Sequence, residues 1–314
     1  MPLTGRHRTI RLATRGSPLA LLQAEIVSGL LSSRYGGDVN VEPVVVKSLG
    51  DRRRDLPIHL LGGQGIFVAE VEQAVLDGRA DAAVHSAKDL PSTSSPGGLE
   101  IVAVPQRGDR RDALVGARLA DLRPGARIAT GSVRRRAQLA WLRPDLTFEE
   151  LRGNLGTRLK KVPSGGAIVV AAAALDRLGL SARAAEVLPT SDLLPQVGQG
   201  ALAVCCRPDD DVRGLLAAIE DPVAHLCLLA ERSFLAAIGS GCDLPVGGSA
   251  ELLGDGSMLI EGLVASLDGH VLVRSSATVP PGPTVPPGPT VPPGPTVPPG
   301  PTVPPGPTVP PGPT

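Results

Sequence analysis

Aromatic residues are scarce: three Phe, one Tyr and one Trp, 2% of 314 residues. So few rings leave little for nucleic-acid bases to stack upon. An excess of either charge is equally absent, since 31 Lys+Arg meet 31 Asp+Glu for a formal net charge of zero. A general polyanion binder normally carries a basic excess, so nucleic acid is not an expected partner. The four cysteines, Cys205, Cys206, Cys227 and Cys242, contain no C-x-x-C pair, and the five histidines are scattered. Neither set has metal-ligand spacing, so no metal is expected. Four cysteines are also too few for a disulfide framework in a chain of this length. The longest apolar run, Ala167 to Leu175, is nine residues, too short to span a bilayer. Met1 to Arg11 lacks the apolar stretch of a secretory signal. The expectation is a cytoplasmic protein with reduced thiols and no membrane contact.

Hydrophobic residues make up 42% of the chain, enough for a core and too many for a disordered polymer. Arg11 to Thr14 reads as a short strand. Ser17 is a good helix N-cap and Pro18 suits the first helical position, after which Leu19, Leu22, Ile26 and Leu30 follow at helical spacing. Val39 to Leu49 is strand-like. The turn Gly62-Gly63-Gln64-Gly65 precedes a helix from about Phe67 to Leu76, and Ala82 to His85 reads as a buried strand. The same order then recurs. Arg127 to Thr130 is a strand, Gly131-Ser132 opens a helix to about Leu142, and Thr147 to Leu151 is a strand. Gly153-Asn154-Leu155-Gly156 leads into a helix from about Thr157, and Ala167 to Ala173 is a buried strand. Two α/β lobes facing each other across a cleft are expected.

A third region from about Pro222 starts with a helix, Ala224 to Ile238. The turn Gly239-Ser240-Gly241-Cys242-Asp243 and three strand-like pieces follow: Val246 to Leu253, Met258 to Ala265 and His270 to Ser275. This is a small α+β domain. From Thr278 the unit Thr-Val-Pro-Pro-Gly-Pro repeats six times. With no charge and no core-forming capacity, it is expected to be a disordered, polyproline-II-like tail. The expected division is 1–104 with about 200–221 as the first lobe, 105–199 as the second, 222–277 as the small domain, and 278–314 as the tail.

Charge is uneven despite the neutral total. Residues 105–161 hold 14 Arg+Lys against 6 Asp+Glu, which favours a small anionic ligand over a long polyanion. Both lobes present a helix N-terminus, where free N–H groups and the helix dipole favour anions. Arg15 sits at the first such turn, Arg134 and Arg135 at the second, and Arg152 and Arg158 flank Gly153 to Gly156. Guanidinium groups hold carboxylates in a two-pronged way, so the set suggests a substrate with several carboxylates. Ala83-Val84-His85-Ser86-Ala87-Lys88-Asp89-Leu90-Pro91 ends an apolar strand abruptly in polar groups, a favoured place for catalysis in α/β folds. Asp89 suits an acid or base, with Lys88 biasing its charge; a helix cap or surface ion pair fits the pattern equally. His85 reads as a satisfied, partly buried histidine. Cys242, in a glycine-rich turn, reads as an accessible nucleophile or attachment point, while the other cysteines read as core.

Seven runs taken together resemble the porphobilinogen deaminase (hydroxymethylbilane synthase) family. They are Ala13-Thr14-Arg15-Gly16-Ser17-Pro18-Leu19-Ala20, Gly65-Ile66-Phe67-Val68-Ala69-Glu70, the Ala83 to Pro91 stretch, Thr130-Gly131-Ser132-Val133-Arg134-Arg135, Leu151-Arg152-Gly153-Asn154-Leu155-Gly156-Thr157-Arg158-Leu159, Leu194-Pro195-Gln196-Val197-Gly198-Gln199-Gly200-Ala201 and Gly241-Cys242-Asp243-Leu244-Pro245-Val246-Gly247. They keep the family's order over roughly residues 10–275.

The resemblance implies two lobes of periplasmic-binding-protein type and a small third domain. It implies a transferase that condenses four porphobilinogen molecules head to tail with loss of ammonia. It also implies one covalent dipyrromethane cofactor per chain, held through a thioether that would fall on Cys242. By the same resemblance Asp89 is catalytic; Lys88, Ser86, Ser132, Arg134 and Arg135 contact the cofactor; and Arg15, Ser17, Arg152, Arg158 and Arg177 contact the substrate. A monomer in porphyrin biosynthesis is implied, with nothing in the sequence pointing to contact with the next enzyme. Leu60 and Gln64 stand where the family often has lysines, and the Pro-Gly repeat stands where the family's last helix is expected, leaving the small domain truncated. A catalytically degenerate relative that only binds pyrrole carboxylates or another anion is the alternative, and a scaffold displaying the repeat is a third.

Overall fold

The computed structural model describes residues 8–47, 68–92, 98–239 and 244–281. Leu60, the turn Gly62 to Gly65, Phe67, Cys242 with Ser240, Gly241 and Asp243, and the repeat from Gly282 onward lie outside them.

Three sheets organise the chain. The first has strand order β2-β1-β3-β10-β4, built from β1 (Arg8–Arg15), β2 (Val39–Val46), β3 (Ala82–Ser86), β4 (Glu100–Ala103) and β10 (Leu202–Cys206). The second has order β7-β6-β8-β5-β9, from β5 (Asp112–Val115), β6 (Arg127–Ala129), β7 (Thr147–Glu149), β8 (Ala167–Ala171) and β9 (Glu186–Val187). The two are built alike. In each, a central strand (β1 or β6) pairs in parallel with both neighbours, while the fourth strand (β10 or β5) runs antiparallel. That fourth strand enters directly after a crossover from the other sheet. The lobes are thus joined by two chain passages, before β5 and before β10.

Helices cover the sheets: α1 (Pro18–Tyr35), α2 (Ala69–Leu76), α3 (Val133–Leu142), α4 (Leu155–Leu159), α5 (Ala172–Arg177) and α6 (Arg213–Ala217). Ser17 caps α1 by accepting from the Ala20 N–H, and Pro18 opens it. Glycine in the left-handed region at Gly36 stops it. The apolar faces of the first sheet split into two clusters, around Val71, Ala83 and Ala203 on one side and Leu12, Val27 and Val204 on the other. The second sheet does the same around Leu114 and Val169, and around Ala129 and Ile168. Strands buried on both faces read as unbroken apolar runs, as Ala167 to Ala171 does. The expected strand through Ala173 is two residues too long: α5 begins at Ala172. Nothing local marks that boundary, because alanine continues across it.

The third sheet, β11-β12-β13, is an antiparallel meander of Val246–Leu252, Met258–Ala265 and Leu272–Val279. The helix α7 (Pro222–Ile238) packs on it, with Asp221 as N-cap. Phe234 lies over Gly248 and Gly262. β13 runs to Val279, so Thr278 and Val279, the first residues of the repeat, pair with Leu259 and Met258. No helix among the described residues is long and apolar enough to cross a membrane. No described group of three or more His, Cys, Asp or Glu could hold a metal ion.

Candidate active site

β3 delivers the polar run to the junction of the lobes. The chain leaves β3 at Ser86 and makes one 3-10 turn over Ala87, Lys88 and Asp89. The segment Gln196 to Ala201, on its way into β10, lies against this turn. Ala87 N–H donates to Ala201 O at 3.0 Å, and Gln196 Nε2 donates to Lys88 O at 3.2 Å. The approach requires glycine at Gly198: its φ is 74°, and a Cβ there would meet Ala87 C and Lys88 N at 2.9 Å. The turn that carries Lys88 and Asp89 is therefore held by the Ala201 carbonyl and the Gln196 side chain of this segment.

Opposite them, Ser132 caps α3, and the first turn of that helix carries Arg134 and Arg135 inward. Both are buried and converge on the fully buried carboxylate of Asp112. Arg134 Nη2 donates to Oδ2 at 2.7 Å, and Arg135 donates to Oδ1 from Nε at 3.0 Å and Nη2 at 2.7 Å. Arg134 Nη1 donates to Leu194 O and Arg135 Nη1 to Val169 O. Arg134 Nε is buried without a partner among the described residues. Burial would raise the Asp112 carboxyl, but the two guanidinium groups outweigh it and hold the group well below the usual range.

Four cations at this junction share a physical condition. Burial, and next the charge of Arg135, pushes the Lys88 ammonium down to about 8. Burial, and then Arg135, lowers the Arg158 guanidinium, with Asp89 opposing. Burial lowers Arg134 and Arg177 as well. Arg134 has the Asp112 carboxylate as its partner; for Lys88, Arg158 and Arg177 burial outweighs the nearby carboxylates, so an anionic ligand would favour their charged forms.

The sequence-predicted residues fall into distinct places. Lys88, Asp89, Arg134, Arg135, Arg152 and Arg158 form one electrostatic group across the junction. Arg158 Nε donates to Gly153 O at 2.7 Å, and Arg152 pairs with Glu150 at 2.9 Å. Arg177 Nη2 donates to Gly200 O at 2.6 Å. Ser86 and Gln23 of α1 exchange hydrogen bonds at 2.9 and 3.2 Å. Ser17 and Ser132 act as helix caps, accepting from Ala20 N–H at 3.2 Å and Arg135 N–H at 3.4 Å. Arg15, half-buried at the end of β1, lies within charge range of His85. Cys242 lies outside the described residues. His85 is buried as expected but not satisfied: Nε2 has no partner among the described residues. Burial, aided by Arg15, pushes that imidazole down to about 4, so it is neutral at pH 7.

Asp112, Gln199, Arg107 and Glu231 are the junction residues that sequence reasoning missed. A carboxylate on the buried stripe Ala224, Cys227, Leu228, Glu231 of α7 was the available signal, since an ionised group on a core face requires a partner.

A family model described as "Porphobilinogen deaminase, dipyromethane cofactor binding domain" matches residues 10–213, and "Porphobilinogen deaminase, C-terminal domain" matches 225–282. The chain belongs to the porphobilinogen deaminase family. Porphobilinogen deaminase of Syntrophobacter fumaroxidans is 46% identical over 275 residues, covering 86% of this chain and 88% of the relative. That of Roseiflexus sp. is 46% identical over 285 residues, 88% of this chain and 93% of the relative. Among solved structures, the methionine binding protein MetQ aligns at 14% identity and a TM-score of 0.43, over 74% of this chain and 96% of that one. The family is one of transferases, and its larger matched domain is the one that binds the dipyrromethane cofactor.

The residues present suit that cofactor. A dipyrromethane of this kind bears several carboxylates, and the junction offers burial-depressed cations together with Arg134 Nε, which has no partner among the described residues.

Proposed function

We propose that this chain is a hydroxymethylbilane synthase, condensing four porphobilinogen molecules head to tail with loss of four ammonia. The observation that carries this reading is the grouping of Asp89 with Lys88, Arg135 and Arg158 across the junction, where burial disfavours the charged forms of Lys88 and Arg158. In it, Lys88, Ser86, Ser132, Arg134 and Arg135 hold the dipyrromethane, and Cys242 bears its thioether. When bound, that group supplies the nucleophilic pyrrole carbon on which the chain is extended. Arg15, Ser17, Arg152, Arg158 and Arg177 orient the acetate and propionate arms of the incoming substrate. Asp89 holds a proton at the departing amine and faces the positive charge that develops on the pyrrole as ammonia leaves. The reading takes 1–104 with about 200–221 as the first lobe, 105–199 as the second, 222–277 as the small domain and 278–314 as the tail. The reading includes a monomer acting in the cytoplasm.

The test is the intact mass of protein made in a host that supplies porphobilinogen, with peptide mapping. An adduct of two pyrrole units on Cys242, together with turnover of porphobilinogen, is the expected result. An unmodified Cys242 without turnover would overturn the proposal in favour of a carboxylate-binding protein.

A further inference from the structure

The segment Gln196 to Ala201 bonds to Lys88, Arg107 and Arg177, and one side chain in it has no role in the reading above. Gln199 is fully buried. Its Nε2 donates to Asp112 Oδ1 at 2.8 Å and to the carbonyls of Arg110 at 2.9 Å and Arg111 at 3.3 Å. These bonds fix the amide orientation, because only an NH2 group can face three acceptors. Its Oε1 is thereby turned to the other side, where Lys88 Nζ and Arg135 Nη2 both donate to it at 3.4 Å. Its own backbone is clamped: Gln199 N–H donates to Gln196 O at 2.9 Å, and Arg107 Nε donates to Gln199 O at 2.9 Å.

We infer that Gln199 is a positioning residue of this site, anchored on Asp112 of the second lobe and orienting the Lys88 ammonium of the first. The inference rests on the proposed function for its importance to turnover, but its geometry stands on this chain alone. Charged groups facing Lys88 are Asp89 on its own turn, Asp112 on β5, and Arg134 and Arg135 on α3. Arginine repulsion and burial drive the ammonium towards its neutral form, and an amide oxygen is a neutral acceptor that opposes them. Gln199 sets where the ammonium sits without cancelling the charge left for a carboxylate ligand.

The test reads Lys88 directly. Only four lysines exist, Lys47, Lys88, Lys160 and Lys161, so trace acetylation against pH, read by peptide mass, gives the Lys88 midpoint whether or not the protein turns over porphobilinogen. Gln199→Met removes the acceptor, and the Lys88 midpoint is expected to fall by about one pH unit. Gln199→Glu keeps an oxygen at the same place, and the midpoint is expected to stay or rise. A merely structural role loosens the junction in both variants, hydrates Lys88 and raises both midpoints. A rise or no change in Gln199→Met therefore overturns the inference. Should that variant not fold, Gln199→Glu decides alone, with a fall in the midpoint as the overturning result. Wild-type turnover, measured separately, tests the proposed function.

Discussion

Arg107 donates from Nη1 and Nη2 to the two carboxylate oxygens of Glu231, at 2.7 and 3.1 Å, with Glu231 fully buried. Arg107 lies on the first passage between the lobes, and Glu231 on α7 of the small domain. The same carboxylate accepts from Gly198 N–H on the second passage at 2.8 Å and from Ala250 N–H of β11 at 2.9 Å. One buried anion thus joins both passages to the third sheet.

Breaking this pair strands a charge in the interior, which typically costs about 3–5 kcal/mol. Arg107→Ala and Glu231→Gln should each lower unfolding free energy by about that much in urea titrations. Equal losses in the double variant and in either single variant would show that they act as one unit. A loss below about 1 kcal/mol in both singles would contradict the assignment.

Asp112→Asn leaves Arg134 and Arg135 buried without an anion, so a similar loss, about 3–5 kcal/mol, is expected at pH 7. The pH dependence has a definite sign. A carboxyl held low in the fold contributes stability above its unfolded value of about 3.9, and loses it as pH falls through that value towards the folded one. Wild type should lose stability more steeply than Asp112→Asn between about pH 4 and pH 2. Parallel curves for the two proteins would refute the linkage.

Lys88 works against stability. Its ammonium is pushed down to about 8 by burial and Arg135, whereas a free lysine titrates near about 10.4. Between those values the unfolded chain binds a proton that the fold does not, so stability rises with pH across that window. Lys88→Met should raise the melting temperature at pH 7 and remove that rise, while impairing cofactor loading. A lower melting temperature at pH 7 would show that the ammonium's contacts outweigh its burial.

Asp89→Ala removes the proposed acid. Porphobilinogen turnover should fall by about 10²- to 10⁴-fold, with substrate binding by calorimetry largely retained because the arginines remain. Unchanged turnover would leave Asp89 as a structural residue.

Local chemistry was legible wherever it closes within a few residues. Ser17 caps α1 and Pro18 starts it because capping needs only the next turn of chain. The doubled strand–turn–helix order anticipated two similar sheets, since each parallel strand needs a helical return. The end of β8 at Ala171 was not legible, because alanine suits either state and the helix begins only where Ala172 N–H reaches Arg111 O. Asp112 drew no reading from the sequence. Its partners lie 22 and 23 residues away, and no local pattern reports that pairing.

The sequence by itself determined the residue types that make the chemistry possible: an acid at Asp89, a thiol at Cys242, and arginines at both helix-opening turns. Composition and spacing suffice for that, because those properties belong to single side chains and short turns. Only the tertiary structure decided which charges stand together. Arg134 and Arg135 meet Asp112, and Gln199 spans from Asp112 to Lys88, because two chain passages bring distant segments to one buried junction. Burial there makes each uncompensated charge costly, and that cost is a property of the packed environment rather than of any residue.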